Sequence, residues 1–226
     1  MSEHKNESDS YQQPLFVVAI NFLLTYMDSK KENLKHEKLP PGQTPIKQLL
    51  RWGIDHQGIT RSNPRIDLKT YTLAVEGEVE EPLRLTWEQI EKLPRTESTS
   101  DFHCVEGWSV LNCRWEGVKF RHLADLAKPR KTATSATFGC ADGYTTSLVL
   151  SDLLHDDVLL AYKLDGKPLE EGYGFPLRLV VPDKYGYKSA LWVMRIRFTS
   201  QKELGYWEER GYSDTANVWK DDRFSK

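Results

Sequence analysis

From residue 65 onward the apolar positions recur in short runs, two of them with a period of two. Tyr71, Leu73, Val75 and Val79 are interleaved with Thr70, Thr72, Glu76 and Glu78, the pattern of a strand with one buried face. Trp192, Met194, Ile196 and Phe198 alternate with Val193, Arg195, Arg197 and Thr199 and predict a second one-sided strand. Residues 145–150, 158–164 and 177–181 read as further strands, the last stopped by Pro182. Short helices fit between them. Thr86 with Gln89 three residues later forms a capping box, and Pro94 closes that helix. Residues 117–127 read as a turn and another helix, and Ser151 is placed to cap a helical turn. Asp165-Gly166 is a hairpin signal. No repeat or low-complexity tract interrupts the pattern. The fold class is α+β, a mixed domain dominated by strands, with a polar aromatic tail from about Gln201.

Upstream the pattern changes. Residues 15–27 (LFVVAINFLLTYM) are mostly apolar, but a membrane span needs about 20 such residues. Glu3, Lys5, Glu7 and Asp9 precede them, so the positive front of a signal peptide is missing. The stretch reads as a packed helix or interaction segment in preference to a membrane-associated one. A charged connector, DSKKENLKHEK, follows, and Pro40, Pro41 and Gly42 end any helix. The chain therefore divides into an extension over residues 1–38 and a domain over residues 39–226.

Composition narrows the function classes. The chain has 226 residues, 39% of them hydrophobic, enough for one sizeable core. Its 31 basic and 33 acidic side chains give a net charge of −2. Nothing pulls such a chain toward phosphate backbones, so nucleic acid is not an expected partner. Three cysteines are too few for a disulfide scaffold, and an odd number suits a reducing compartment, so the cytoplasm is the expected location.

Three segments concentrate candidate chemistry. The first is DFHCVEGWS, where Cys104 has His103, Glu106 and Trp108 for neighbours. A lone cysteine is most often a small buried hydrophobe. Ionisable and aromatic groups crowded around a glycine turn also suit a thiolate that binds a soft metal or acts as a nucleophile. Cys104, Cys113, Cys140, His103 and His122 are zinc-ligand types, but no CxxC or HxxxH spacing joins them. No local motif supports a cysteine–histidine hydrolase, and no P-loop or GxGxxG occurs. The second segment is PLRLVVPDKYGYKSALWV. Here Arg178, Lys184, Lys188 and Ser189 surround a Tyr185-Gly186-Tyr187 loop, which is either a solvated basic loop or an anion site. The third is CADGYTTSL, from Cys140 to Leu148, which needs to be no more than a hairpin.

In order and spacing, DFHCVEGWS, ADGYTTSL, DDVLLAYKLDGKPL and GFPLRLVVPDKYGYKSALWV resemble the molybdopterin-binding oxidoreductase domain of the sulfite oxidase family, above all its small haem-free members. LPPGQ near residue 39 and GYWEERGYS near residue 205 look like the ends of those proteins, and CVEGWS is similar to the segment in methionine-sulfoxide reductase catalytic subunits. The resemblance implies a molybdenum atom held by the dithiolene of one molybdopterin and one protein thiolate, with no haem. Cys104 stands at the metal-ligand position. Arg178, Lys188 and Ser189 fall where the family holds the pterin and its phosphate, and His56 looks like an early pterin contact. His103, Cys140 and Thr145 are further cofactor-binding candidates. Tyr144 matches a tyrosine beside the substrate, a contact or proton donor.

The expected activity is two-electron oxygen-atom transfer on a small substrate, with electrons exchanged through a separate partner. A sulfoxide or N-oxide reductase is the alternative within the class, and a non-catalytic molybdopterin carrier the alternative outside it. Sulfite oxidases proper carry arginines just after the ligand cysteine, whereas this chain has Val105-Glu106-Gly107-Trp108. Leu191 replaces a family lysine, which leaves Lys188 and Lys184 to supply phosphate charge, and Tyr173 stands where His or Asn is common. Sulfite is therefore not the expected substrate. A packing of Glu106 against Arg114 or Arg121 would weaken that argument.

Overall fold

The computed structural model describes residues 38–60 and 62–225. The chain divides into two units at Leu39–Pro40, and the second, Pro40–Lys226, is the compact one described below. The apolar stretch at residues 15–27 lies outside the described residues. Among the described residues no helix is long and apolar enough to cross a membrane.

In chain order the strands and helices of the second unit are β1 (Thr44–Ile46), β2 (Thr72–Gly77), β3 (Leu83–Thr86), α1 (Trp87–Glu91), β4 (Arg95–His103), β5 (Trp108–Lys119), α2 (Phe120–Ala127) and β6 (Ser135–Cys140). They continue with β7 (Thr145–Val149), α3 (Leu150–Leu153), β8 (Leu159–Leu164), β9 (Lys167–Pro168), β10 (Arg178–Val180) and β11 (Val193–Thr199). Two mixed sheets result. The first is organised on β5, the longest strand, which pairs with β1, β4 and β8, while β8 also holds β9 and β10. The second runs β3-β2-β11-β6-β7, with β2 and β11 parallel.

Alternation along the strands divides the side chains between two cores. In β8, Leu160 and Tyr162 enter the larger core, with Phe120 of α2 and Phe138, Ile196 and Phe198 of the second sheet. Leu159 and Ala161 point the other way, into a smaller core with Phe102, Cys113, Trp115 and Val180. The first sheet is thus covered on both faces. The same period-two rule puts Arg178 of β10 on the side of Val180, against Phe102 and Trp115. That single alternation places a charged group in an apolar core, and the site depends on it.

Several sequence expectations take their final form here. The capping box at Thr86 forms, with Thr86 N–H donating to Gln89 Oε1 at 2.8 Å. Asp165 and Gly166 both adopt positive φ, as a type I′ turn between β8 and β9 requires. Ser151 does not cap α3: the cap residue is Val149, with no side-chain bond. The expected turn at residues 117–119 is strand, because Gly117, Val118 and Lys119 pair with β8. A register shift in β11 between Val193 and Arg195 corrects the alternation there, so that Val193 joins Ile196 and Phe198 in the core. The β4–β5 hairpin was not expected as strands at all.

The C-terminal segment is fastened to the domain by a buried charge. The Lys188 side chain is completely buried and pairs with Glu208, whose Oε1 also accepts the Thr146 hydroxyl at 2.7 Å. Lys188 Nζ donates to the Ser147 carbonyl at 3.0 Å and lies 3.5 Å from Asp214. Removing one partner of such a pair strands the other without compensation. Lys188→Met is therefore expected to lose about 3–5 kcal/mol in urea unfolding. A loss below about 1 kcal/mol would show that the pair does not hold the segment.

Candidate active site

Cys104 opens the four-residue turn that closes the β4–β5 hairpin. Its N–H donates to the Trp108 carbonyl at 2.8 Å, and Gly107 N–H returns to its carbonyl at 3.0 Å. Gly107 has φ +98°, and a Cβ there would stand 3.0 Å from the Gly42 carbonyl oxygen, so only glycine closes this turn without strain. The turn is then held from outside. Gln43 donates to the Cys104 carbonyl at 3.1 Å, and Thr44 N–H to the Gly107 carbonyl at 2.8 Å. Arg223, from the far end of the chain, donates to the Val105 carbonyl at 2.8 Å and to the Gly42 carbonyl at 3.2 Å. The sulfur has a fixed address.

Its chemistry follows from burial. Cys104 is 3% exposed, and loss of solvent pushes its thiol up to about 12, with the Glu106 carboxylate adding to the shift. A thiol in this state is a poor free nucleophile at neutral pH. A metal ion reverses the balance, because it supplies the positive charge that water no longer does and displaces the proton. Glu106 faces the sulfur, with Oε2 4.0 Å from Sγ, 2.9 Å from His56 Nε2 and 3.3 Å from Trp108 Nε1. It pairs with neither Arg114 nor Arg121, which lie 3.7 Å from Asp165 and Asp156 respectively.

His56 stacks on Trp52 with ring centroids 4.3 Å apart, and Trp52 is one wall of a small open cleft. Phe102, Tyr144, Tyr187, Trp192 and Trp207 are other walls, with Asp142, Gly186 and Ser189 among them. A Cβ on Gly186 would meet the Phe102 ring at 2.4 Å, so this loop packs on the hairpin only as glycine. Tyr144 donates its hydroxyl proton to the Tyr187 carbonyl, and burial raises its pKa well above the phenol range. Burial also raises the Asp142 carboxyl. Ser189 Oγ accepts from Val181 N–H at 3.1 Å, which leaves its own proton for another acceptor.

Behind the Phe102 wall lies Arg178, 3% exposed. Its guanidinium carbon is 5.2 Å from the Phe102 ring and 5.0 Å from the Trp115 ring, and one Nη donates to the Tyr173 carbonyl at 3.3 Å. Its Nε is buried with no acceptor, and no carboxylate among the described residues pairs with it. Burial lowers its pKa to about 10.

The expected site residues therefore separate. Tyr144 and Ser189 line the cleft, Arg178 lies behind it, and His56 and Glu106 join its Trp52 wall to Cys104. His103 points elsewhere, its Nδ1 2.7 Å from the Ser109 hydroxyl. Cys140 packs against the larger core, and Thr145 receives the Tyr206 N–H on its carbonyl; neither is a cleft wall. Lys188 belongs to Glu208, and Lys184 to Asp152 at 2.7 Å, so both lysines are already compensated. Trp52, Phe102, Asp142, Trp207 and Arg223 were missed. Phe102, Asp142 and Trp207 lay inside segments already singled out, but Arg223 acts on Val105 across 118 positions and left no local signal.

Residues 60–207 match the family model described as the oxidoreductase molybdopterin binding domain. The chain belongs to this family. It is thus a molybdopterin-binding oxidoreductase, an enzyme rather than a carrier, with the strand-rich sulfite oxidase-type fold. The chain is 40% identical to the uncharacterized oxidoreductase YuiH of Bacillus subtilis, covering 70% of this chain and 80% of that protein. It is 34% identical to the protein-methionine-sulfoxide reductase catalytic subunit MsrP of Campylobacter jejuni, covering 66% of this chain and 57% of that one. The sulfane dehydrogenase SoxCD of Paracoccus pantotrophus shares the fold, with a TM-score of 0.60 at 20% identity over 89% of this chain and 57% of that one. The chain thus spans a little over half of the last two.

The residues of this molybdopterin-binding domain fit the cofactor. Among the described residues no three His, Cys, Asp or Glu side chains converge on an ion, which suits a metal that arrives with ligands of its own. Cys104 supplies one soft donor. The buried, acceptor-less Nε of Arg178 and the free hydroxyl proton of Ser189 suit an anionic tail. Lys188 would have to leave Glu208 to take part. A charge-assisted hydrogen bond contributes about 1.5–3 kcal/mol. Arg178→Gln is accordingly expected to weaken cofactor retention on gel filtration roughly ten- to a hundredfold. Unchanged retention would remove Arg178 from the cofactor site.

Proposed function

We propose that this enzyme reduces a small sulfoxide-type substrate, taking two electrons from a separate protein partner. The observation that carries the reading is Glu106, placed 4.0 Å from the Cys104 sulfur where an anion-binding enzyme needs a cation. A carboxylate beside the reaction centre opposes a small dianion, and the Trp108 ring suits an uncharged organic group. The name of the relative MsrP supports the substrate class, and its description as a catalytic subunit supports a separate electron partner.

The net change is R2S=O + 2e⁻ + 2H⁺ → R2S + H2O. When bound, the molybdenum cofactor would supply the two-electron oxygen-atom chemistry. The chain itself does the rest. Cys104 would anchor the metal, and the clamp of Gln43, Thr44 and Arg223 fixes the turn that carries its sulfur. Arg178 and Ser189 hold the anionic tail. Tyr144 is a positioning contact rather than an acid, because its proton is held by the Tyr187 carbonyl. In this reading the chain carries one pterin and no haem, and membrane association through residues 15–27 is not required. We also assign the enzyme to a reducing compartment, the cytoplasm, which is supported by unpaired Cys104, Cys113 and Cys140.

Two variants test the reading. Cys104→Ser replaces a soft ligand by a nearly isosteric hard one. It is expected to lose molybdenum and turnover while keeping its circular dichroism spectrum, and full molybdenum with full turnover would refute the anchor. For the substrate, reduced viologen with dimethyl sulfoxide should give clear turnover, and sulfite with ferricyanide a kcat/KM below about 10⁴ M⁻¹s⁻¹. Glu106→Gln should raise the sulfite value by about fivefold, the effect of removing about 1 kcal/mol of repulsion. Wild-type sulfite oxidation near 10⁶ M⁻¹s⁻¹ would overturn the proposal.

A further inference from the structure

Asp142 is the carboxylate of the cleft that the proposed chemistry leaves unused. It stands in the turn between β6 and β7, half-buried, with Oδ1 accepting the Tyr144 N–H at 3.0 Å. That bond and one from its own backbone N–H orient the carboxylate, and neither brings it a positive charge. Other carboxylates around the site have donors: Glu106 has His56 and Trp108, Glu208 has Lys188, and Asp183 has the Trp219 indole. Among the described residues no Lys, Arg or His pairs with Asp142, and burial is the largest influence on its carboxyl. A half-desolvated charge without a counterion is unfavourable, so something must repay it.

The surroundings say what. The cleft that Asp142 lines is walled mainly by apolar and aromatic side chains, among them the indoles of Trp52, Trp192 and Trp207 and the ring of Tyr144. Aromatic faces attract cations, and a carboxylate among them adds direction and charge. The anionic tail of the cofactor is a poor counterpart, because Asp142 repels it and Arg178, behind the Phe102 wall, has a buried Nε without an acceptor to offer it. Trp52 links this wall through His56 and Glu106 to the Cys104 sulfur, so a ligand held here belongs to the same reaction centre.

We infer that Asp142, with the aromatic walls around it, recognises a cationic alkylammonium group carried by the substrate. This rests on the sulfoxide reading and deepens it: the oxidised sulfur is neutral, and the same molecule bears a positive charge. Asp142 then sets specificity, while the reducing chemistry stays with the metal centre. The sign agrees with Glu106, since both carboxylates disfavour anions.

The molybdenum-loaded protein allows a direct test. Asp142→Asn keeps an oxygen for the Tyr144 N–H and removes only the charge, and Asp142→Glu keeps the charge. Tetramethylammonium, titrated by tryptophan fluorescence, is expected to bind the wild type and to bind Asp142→Asn about tenfold more weakly. The ratio of kcat/KM for (2-methylsulfinylethyl)trimethylammonium over dimethyl sulfoxide should fall about tenfold in Asp142→Asn, through KM, and recover in part in Asp142→Glu. Equal tetramethylammonium binding by wild type and Asp142→Asn, no binding to the wild type, or an unchanged ratio would overturn the assignment. If the wild type reduces neither sulfoxide, the sulfoxide reading falls, and the tetramethylammonium titration still decides the role of Asp142.

Discussion

The site rests on one constraint: a single sulfur must be presented without solvent and without freedom to move. Burial makes Cys104 a thiol that water cannot ionise easily. A metal that brings its own charge would ionise it, and the turn would then fix the position of any metal bound to that sulfur. The turn is rigid because groups from both ends of the domain hold its carbonyls, Gln43 and Thr44 from one side and Arg223 from the other. Arg223 is itself oriented by Asp221 at 2.7 Å and lies against the Tyr185 ring. The C-terminal tail is therefore part of the site and not an appendage to it.

Charge placement divides the cleft region. Of the basic side chains around it, Lys184, Lys188 and Arg223 are neutralised by Asp152, Glu208 and Asp221. Arg178 has no such partner and lies under Phe102. One uncompensated cation behind the wall and one uncompensated carboxylate on it give the region opposite polarities. A buried ion pair costs about as much in desolvation as it returns, so compensation mainly prevents a larger penalty. Groups left uncompensated are where a ligand can contribute most.

Much of this was legible in the sequence, and the failures have physical causes. Period-two runs marked β2 and β11, short apolar runs marked β7, β8 and β10, and the Thr86–Gln89 and Asp165-Gly166 signals were realised in the cap and turn they code. The β4–β5 hairpin was invisible because β4 reads RTESTSDFH, whose outer face is solvated and whose polar letters do not alternate with apolar ones. Its partner β5 alternates only over Asn112-Cys113-Arg114-Trp115, with Asn112 and Arg114 exposed, and its flanking stretches are more continuously buried, so no single period runs its length. Basic residues near the Tyr185-Gly186-Tyr187 loop were read as one anion-binding group. Composition cannot reveal that Glu208, twenty positions on, claims Lys188 while Arg178 is left free. Cys104 was legible because ionisable neighbours crowd it, whereas the clamp by Arg223 depends on the closed fold.

The central claim is that Cys104 gives the molybdenum its one protein sulfur, beside the two of the pterin dithiolene. X-ray absorption at the molybdenum edge counts those sulfurs directly. Wild-type protein should show three sulfur neighbours, and Cys104→Ser protein reconstituted with cofactor should show two. Three sulfurs in both proteins would contradict the claim, because the third would then come from another residue.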